Sequence, residues 1–583
     1  MTAKHCGLAA VILSLLAGAL AYFYGGDTVS GGDQCAMFAA ARFLVDSGTF
    51  YFKEFVNLQF TGNFYVVNSP ELNQVYSVYP PGYSLLLAGA EILGILPTLV
   101  APLCAALCGI LMYVLARVFL PPAYALLSAA VLLSSPVLLL NAVIKNTHAL
   151  GLALTLGAFT ALVCLSRRPG GRGALPGAAL CGLLLGYNVA VRYTEGLLLL
   201  APVVFWLGAR AWRRAGWTPR LRALAAYAAG AAVPFLFLAW YHQTAFGSPF
   251  STGYSRFNAT TGGFAPSYFF DNFPLYLPGM LNHGLGPALL TLLCLPFGWR
   301  KNRDFPGVFW LAWILPLFIL YHFYFWASPD NYHLMLRFYL NFFPALVVCG
   351  LMALRRVLRR KDARAPGRPR EKTVLALLAV LQVLWGVQAF TPGAEAVYSG
   401  NRKIDGQTDF LREQIPAGET VFFTSNLPRR EKIDFESLFA LHHCALFSSE
   451  VFALEKMRQD LLKELATEKA GAAATFQHAR TTNLLAKPPA MMFAEFAGKI
   501  RERARAGGKF YYFGDVETWP EFRKTAGRYF TFGKPVTQEY SAPACLFFPQ
   551  GQRALNYDPQ PRESFPALIA VPLTLRPGAW GGE

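Results

Sequence analysis

Between Cys6 and Phe390 the chain returns repeatedly to apolar runs that approach or reach the length of a lipid bilayer. In hydrocarbon every backbone polar group must be satisfied internally, so such runs have to be helices. Runs at 6–24, 97–116, 122–140, 148–166, 174–191, 195–209, 223–241, 283–298, 306–325, 335–354 and 373–390 predict about eleven spans. Only 15% of the residues are charged, against roughly a quarter in a soluble domain. Beyond 390 the composition becomes that of a water-soluble fold. The predicted architecture is a polytopic α-helical membrane domain over 1–390, followed by an extramembrane α/β domain over 391–583.

The net charge of +18 is placed to orient the protein rather than to bind nucleic acid. Arg117, then Arg167, Arg168 and Arg172, then Arg210, Arg213, Arg214, Arg220 and Arg222 fall in alternate loops, as do Arg300, Lys301, Arg303 and the run from Arg355 to Lys372. Opposite loops hold isolated cations: Lys53, Lys145, Arg192, Arg256 and Arg337. Basic loops stay inside, so the N-terminus is expected in the cytoplasm and, with an odd number of spans, the tail outside. The segment 83–95 is apolar but short and follows Pro80-Pro81; it is expected to lie in the interface, with Glu91 toward water or protein. A cleaved signal peptide is the alternative for residues 4–24, against which stands the length of the apolar stretch. Of the ten cysteines, those in apolar runs read as small core residues, while Cys444 and Cys545 could pair in an oxidising compartment.

Chemistry is therefore expected on the outer face. Asp33, in Gly31-Gly32-Asp33-Gln34, opens an amphipathic stretch (36–45) suited to a membrane-surface helix, and either caps that helix or has a task of its own. Arg337 is a phosphate anchor or a snorkelling interfacial cation. Arg192 is a substrate contact or the partner of Glu195. Lys145 and His148 flank a short outer loop as anchor or substrate contacts. The aromatic loop 242–282, with Tyr254 in it, is a membrane belt or a groove for an isoprenoid chain, and His283 starts the next span facing the same region.

The order of these pieces resembles the GT-C membrane glycosyltransferases, in particular the branch with protein O-mannosyltransferases and lipid A aminoarabinose transferases. The resemblance rests on the first-loop acid Asp33, the AAARFLVDSGTF stretch, Tyr79-Pro80-Pro81-Gly82-Tyr83, VIKNTHALGLALTLGAF around His148, GLLLGYNVAVRYTEGLLLLAP around Arg192 and LRFYLNFFPAL around Arg337, and covers residues 1–390. It implies transfer of a hexose or pentose from a polyprenyl-phosphate donor to a lipid, glycan or protein acceptor, with inversion, on the non-cytoplasmic face of a plasma (bacterial inner) membrane. Asp33 would be the general base; Arg337, His148, Lys145, Arg192, Tyr79, Gln34, His283 and Tyr254 would contact substrate. The sequence fixes no cofactor and leaves a divalent metal open as counter-charge to the phosphate. Three positions depart from the family: Gln34 stands where a second acid is usual, Tyr79 where one branch has lysine, and His148 where that branch often has an acid.

In the tail, 421–425, 444–448, 509–515 and 544–548 read as strands and 451–467, 490–506 and 517–527 as helices, giving a mainly parallel α/β sheet. A lipid or polymer transporter is the rival function, but it calls for paired ionisable residues within spans. A non-catalytic scaffold is the third reading.

Overall fold

A computed structural model describes residues 2–29, 32–53, 65–67, 74–165, 169, 171–256, 264–298, 307–324, 336–362, 369–416, 418–423, 445–467, 488–540 and 565–580. Cys444, Cys545 and the expected strand 544–548 lie outside these residues.

The apolar runs fold into α1 (Ala3–Gly25), α4 (Val100–Phe119), α5 (Pro122–Leu133), α6 (Pro136–Val143), α7 (Thr147–Leu165) and α8 (Ala174–Val191), with further helices at Trp217–Phe246, Gly307–His322, Phe343–Asp362 and Pro369–Gln414; the first loop supplies α2 (Gly32–Ser47) and α3 (Gly82–Ile92). Among the described residues seven helices are long and apolar enough to cross a membrane, or eight if α5 and α6, bent by 51°, form one broken span. Pro136 at the start of α6 explains the break, since it cannot donate to the preceding turn. The apolar helices Tyr193–Gly208 and Gly307–His322, together with the 3-10 stretch Gly286–Cys294, occupy the three remaining expected positions and are shorter than a full span. The chain is an integral membrane protein.

Small residues set the tightest helix contact. A Cβ on Gly182 would run into the carbonyl of Tyr227, and one on Gly230 into the carbonyl of Ala179, so α8 and Trp217–Phe246 meet backbone to backbone. Gly182→Val is expected to lower stability by about 2 kcal/mol, measured as thermal unfolding in detergent. Gly89→Ala, where a Cβ meets open space, should leave the melting temperature unchanged.

The first loop is packed more deeply than its sequence suggests. Residues Cys35 to Ala41 of α2 are buried, which corrects the expectation of a membrane-surface helix. Their cover comes from α3, where the Ser84 hydroxyl donates to the Met37 carbonyl at 2.9 Å, and from the tail. Gly82 lets α3 approach the end of α8, because a Cβ there would lie 2.6 Å from the Ala190 carbonyl oxygen. At the far end of α3, Ile92 and Leu93 are exposed, as an interfacial helix requires, and Glu91 is exposed beside them. Strands β1 (Tyr51–Lys53), β2 (Tyr65–Val67) and β3 (Gln74–Ser77) form a small antiparallel sheet in the order β1-β3-β2.

The tail has β4 (Thr420–Phe423), β5 (Ala445–Ser448), β6 (Phe510–Asp515), β7 (Phe530–Phe532), β8 (Val536–Tyr540) and β9 (Phe565–Leu575). β5, β4 and β6 run parallel, but β9 pairs antiparallel with β6, β7 and β8, so the sheet is mixed rather than mainly parallel. Pro566 and Pro572 disguise β9, because proline normally argues against a central strand. The expected domain boundary at 390/391 falls inside the continuous helix Pro369–Gln414. Near its end Phe410, Leu411 and Ile415 share one apolar cluster with Val421, Phe423 and Phe513 of the tail and with Ala36 and Val75 of the first loop. The tail thus packs directly on the loop that carries Asp33.

Candidate active site

Asp33 lies in the first turn of α2, where the helix dipole favours a carboxylate. Its carboxylate also pairs with the Arg337 guanidinium at 3.8 Å, both side chains being partly buried. Capping and pairing are thus compatible, and the pairing brings together residues 304 positions apart (337 − 33). Among the described residues the buried Arg337 Nε has no hydrogen-bond partner, so this guanidinium retains a donor for a further acceptor. Arg337 starts a 3-10 helix, Arg337–Phe342, pinned from the neighbouring helix by the Trp313 indole N–H donating to the Asn341 carbonyl at 2.8 Å.

Tyr79 sits beside Asp33. Burial, then the adjacent Asp33 carboxylate, hold its hydroxyl well above the usual tyrosine range, so it is a neutral donor beside Asp33. The Tyr254 ring meets it edge-on at 5.9 Å and meets Tyr193 at 5.8 Å. That approach depends on Gly253, where any Cβ would strike the Val78 carbonyl. Tyr254 therefore lines the site rather than serving only as a membrane belt.

Arg192 ends α8 in extended conformation, and the 3-10 turn Tyr193–Leu199 follows it. Its Nε donates to Glu195 at 3.2 Å, Nη1 to His148 Nε2 at 2.6 Å and Nη2 to the Tyr321 hydroxyl at 3.1 Å. The expected Arg192–Glu195 pair is present, and His148 belongs to the same cluster. Below it lies a buried polar layer: the Asn188 amide donates to the Gly151 carbonyl at 3.1 Å, and the Thr155 hydroxyl to Asn341 Oδ1 at 3.3 Å. Arg192 and Arg337 both lie over the Phe338 ring, at 5.5 and 5.0 Å from its centroid.

Lys145, Gln34 and His283 remain of the sequence candidates. Lys145 is instead buried, its ammonium donating to the carbonyls of Gly25 at 2.8 Å and Thr28 at 2.6 Å. Burial pulls it down to about 7 while Asp27 and Asp405 oppose that shift. It ties the end of α1 to the α6–α7 turn, and Asn401 of the long helix donates to the same Gly25 carbonyl at 2.8 Å. Its contacts are those of a structural latch. Gln34, next to Asp33, is buried. His283 lies on the π-helical turn Met280–Gly284, which packs on the flanking helices Pro266–Gly279 and Gly286–Cys294 and also contacts α6 and Pro369–Gln414. Tyr321, Phe338 and Asn341, in contrast, join the cluster without having been singled out. The signal of Tyr321 and Phe338 was an aromatic density shared with ordinary membrane helices, and that of Asn341 a single amide in an apolar run.

Two guanidiniums, Arg192 and Arg337, set against the carboxylates of Glu195 and Asp33 suit an anionic substrate, and no group of three metal-ligating side chains occurs among the described residues. In comparisons with known proteins, no protein-family model matches the sequence. No curated protein matches it either. Solved structures do. ArnT from Cupriavidus metallidurans, bound to undecaprenyl phosphate, superposes with a TM-score of 0.55 at 11% identity, over 96% of this chain and 97% of that one. Its apo state gives the same TM-score at 12% identity. The archaeal oligosaccharyltransferase AglB from Archaeoglobus fulgidus, in complex with an inhibitory peptide and a dolichol-phosphate, gives 0.50 at 12% identity, over 91% of this chain and 73% of that one. The chain has the GT-C fold, in agreement with the resemblance read from its motifs.

Proposed function

We propose that this protein is a glycosyltransferase that moves a sugar from a polyprenyl-phosphate donor to an acceptor hydroxyl of a lipid, glycan or protein on the non-cytoplasmic face of the plasma membrane. The observation that carries this reading is the Asp33–Arg337 pair at 3.8 Å beside Tyr79: a base and an anion-binding cation share one site. Two structures of the same fold hold undecaprenyl phosphate and dolichol-phosphate, which supports a lipid phosphate as the anion here.

In the resting site each charge neutralises the other. A partly exposed ion pair contributes only about 0–1 kcal/mol, so exchange of partners is cheap. The donor phosphate takes Arg337, whose free Nε and terminal nitrogens can grip two of its oxygens. Asp33, released from Arg337 and still beside Tyr79, accepts the acceptor's hydroxyl proton. The acceptor oxygen then bonds to the anomeric carbon from the face opposite the phosphate, giving inversion. The anomeric C–O bond to phosphate breaks and the electron pair leaves with the lipid phosphate, whose growing charge Arg337 stabilises.

The test is to purify the full chain in detergent, identify co-purifying lipids by native mass spectrometry, and supply polyprenyl-phosphate sugars with cell-envelope acceptors. Bound polyprenyl phosphate and covalent sugar transfer are expected. Transbilayer movement of the lipid with no new glycosidic bond would overturn the assignment in favour of transport.

A further inference from the structure

We infer that His148 and Phe338 together form a clamp that positions the two arginines, with His148 acting on the donor phosphate through Arg337. The inference rests on the transfer reading above and extends it to residues that touch no reacting atom.

His148 is fully enclosed in α7. One ring nitrogen, Nε2, faces Arg192 Nη1 at 2.6 Å. A guanidinium can only donate, so Nε2 must be the unprotonated acceptor. The other ring nitrogen then carries the proton, and the backbone of Arg337 is its polar neighbour. A single neutral imidazole thereby holds the guanidinium of Arg192 and packs edge-on against Phe338, the residue that follows Arg337. The tautomer is set by the Arg192 guanidinium, which can only donate to Nε2.

Phe338 completes the arrangement. Both guanidinium carbons lie over its ring, His148 meets the same ring edge-on at 5.7 Å, and Tyr321 stacks on it at 4.8 Å. Tyr321 also accepts from Arg192, which closes the frame. Within this frame the two arginines differ. Arg192 is committed to Glu195, His148 and Tyr321, whereas among the described residues Arg337 has its Nε without a hydrogen-bond partner and a partly exposed carboxylate opposite. Arg192 is therefore part of the scaffold, and the clamp presents Arg337 alone to an anion.

If His148 acts through Arg337, its effect must vanish when Arg337 is gone. The experiment is a double-mutant cycle on undecaprenyl phosphate affinity, read by native mass spectrometry titration of the full chain, with thermal unfolding recorded for every variant. His148→Ala is expected to weaken binding about tenfold, Arg337→Ala about a hundredfold, and the double variant no further than Arg337→Ala. Multiplication of the two losses, or wild-type affinity in His148→Ala, would overturn the positioning role. His148→Gln, which keeps an acceptor and a donor, should stay within about threefold of wild type, and Phe338→Leu should lose about fivefold. These two variants decide the matter if His148→Ala does not fold: a Phe338→Leu protein binding like wild type would sink the clamp. Failure of the folded wild-type protein to bind the lipid would instead refute the transfer reading on which the clamp depends.

Discussion

Asp33→Asn should cut sugar transfer about a thousandfold, within the range typical for loss of a general base, while leaving donor binding in place. The substitution keeps the shape of the side chain and its position in the first turn of α2. What disappears is a carboxylate able to take the acceptor's proton. The stability cost should be small. The helix-dipole contribution and the partly exposed pair with Arg337 are together worth about 1–2 kcal/mol at most. Single-turnover transfer by donor-loaded protein isolates this step from binding. Transfer at the wild-type rate would mean that Asp33 only caps and pairs.

Arg337→Ala should fail one step earlier. The donor phosphate loses its guanidinium, so the donor KM should rise about a hundredfold, and kcat should fall as well because the same cation stabilises the leaving phosphate. Arg337→Lys keeps the charge but not the planar fork, and should recover only part of the loss. The two variants thus separate. Asp33→Asn holds donor that it cannot use, and Arg337→Ala hardly holds donor at all. If Arg337 were merely an interfacial snorkelling residue, neither parameter would move.

Much of this site was legible because charge is expensive in an apolar chain. Asp33, Arg192 and Arg337 stand out against their surroundings, and alternation of the arginine loops put them on one face. The Arg192–Glu195 pair follows from their spacing and is present at 3.2 Å. The fold was legible for the same reason, since each long apolar run has few alternatives to helix. Where the reading went astray, the reason is three-dimensional. A lysine at a helix end looks the same in sequence whether its ammonium reaches water or, as Lys145 does, a cage of carbonyls from another helix. Phe338 and Tyr321 look like membrane-belt aromatics until the helices Gly307–His322 and Arg337–Phe342 bring them against two guanidiniums. The strand Phe565–Leu575 carries two prolines that mask a place in the centre of the tail sheet. The packing of that tail on α2 through Ala36 joins segments hundreds of residues apart and leaves no local pattern.

In the proposed mechanism, exchange of partners at Arg337 is the step that separates a transferase site from a static ion pair. A density map of the wild-type protein saturated with undecaprenyl phosphate shows that exchange or its absence. The phosphate should lie against Arg337, with the Asp33 carboxylate parted from the guanidinium and still beside Tyr79. A phosphate bound elsewhere, with the Asp33–Arg337 pair intact, would contradict the mechanism.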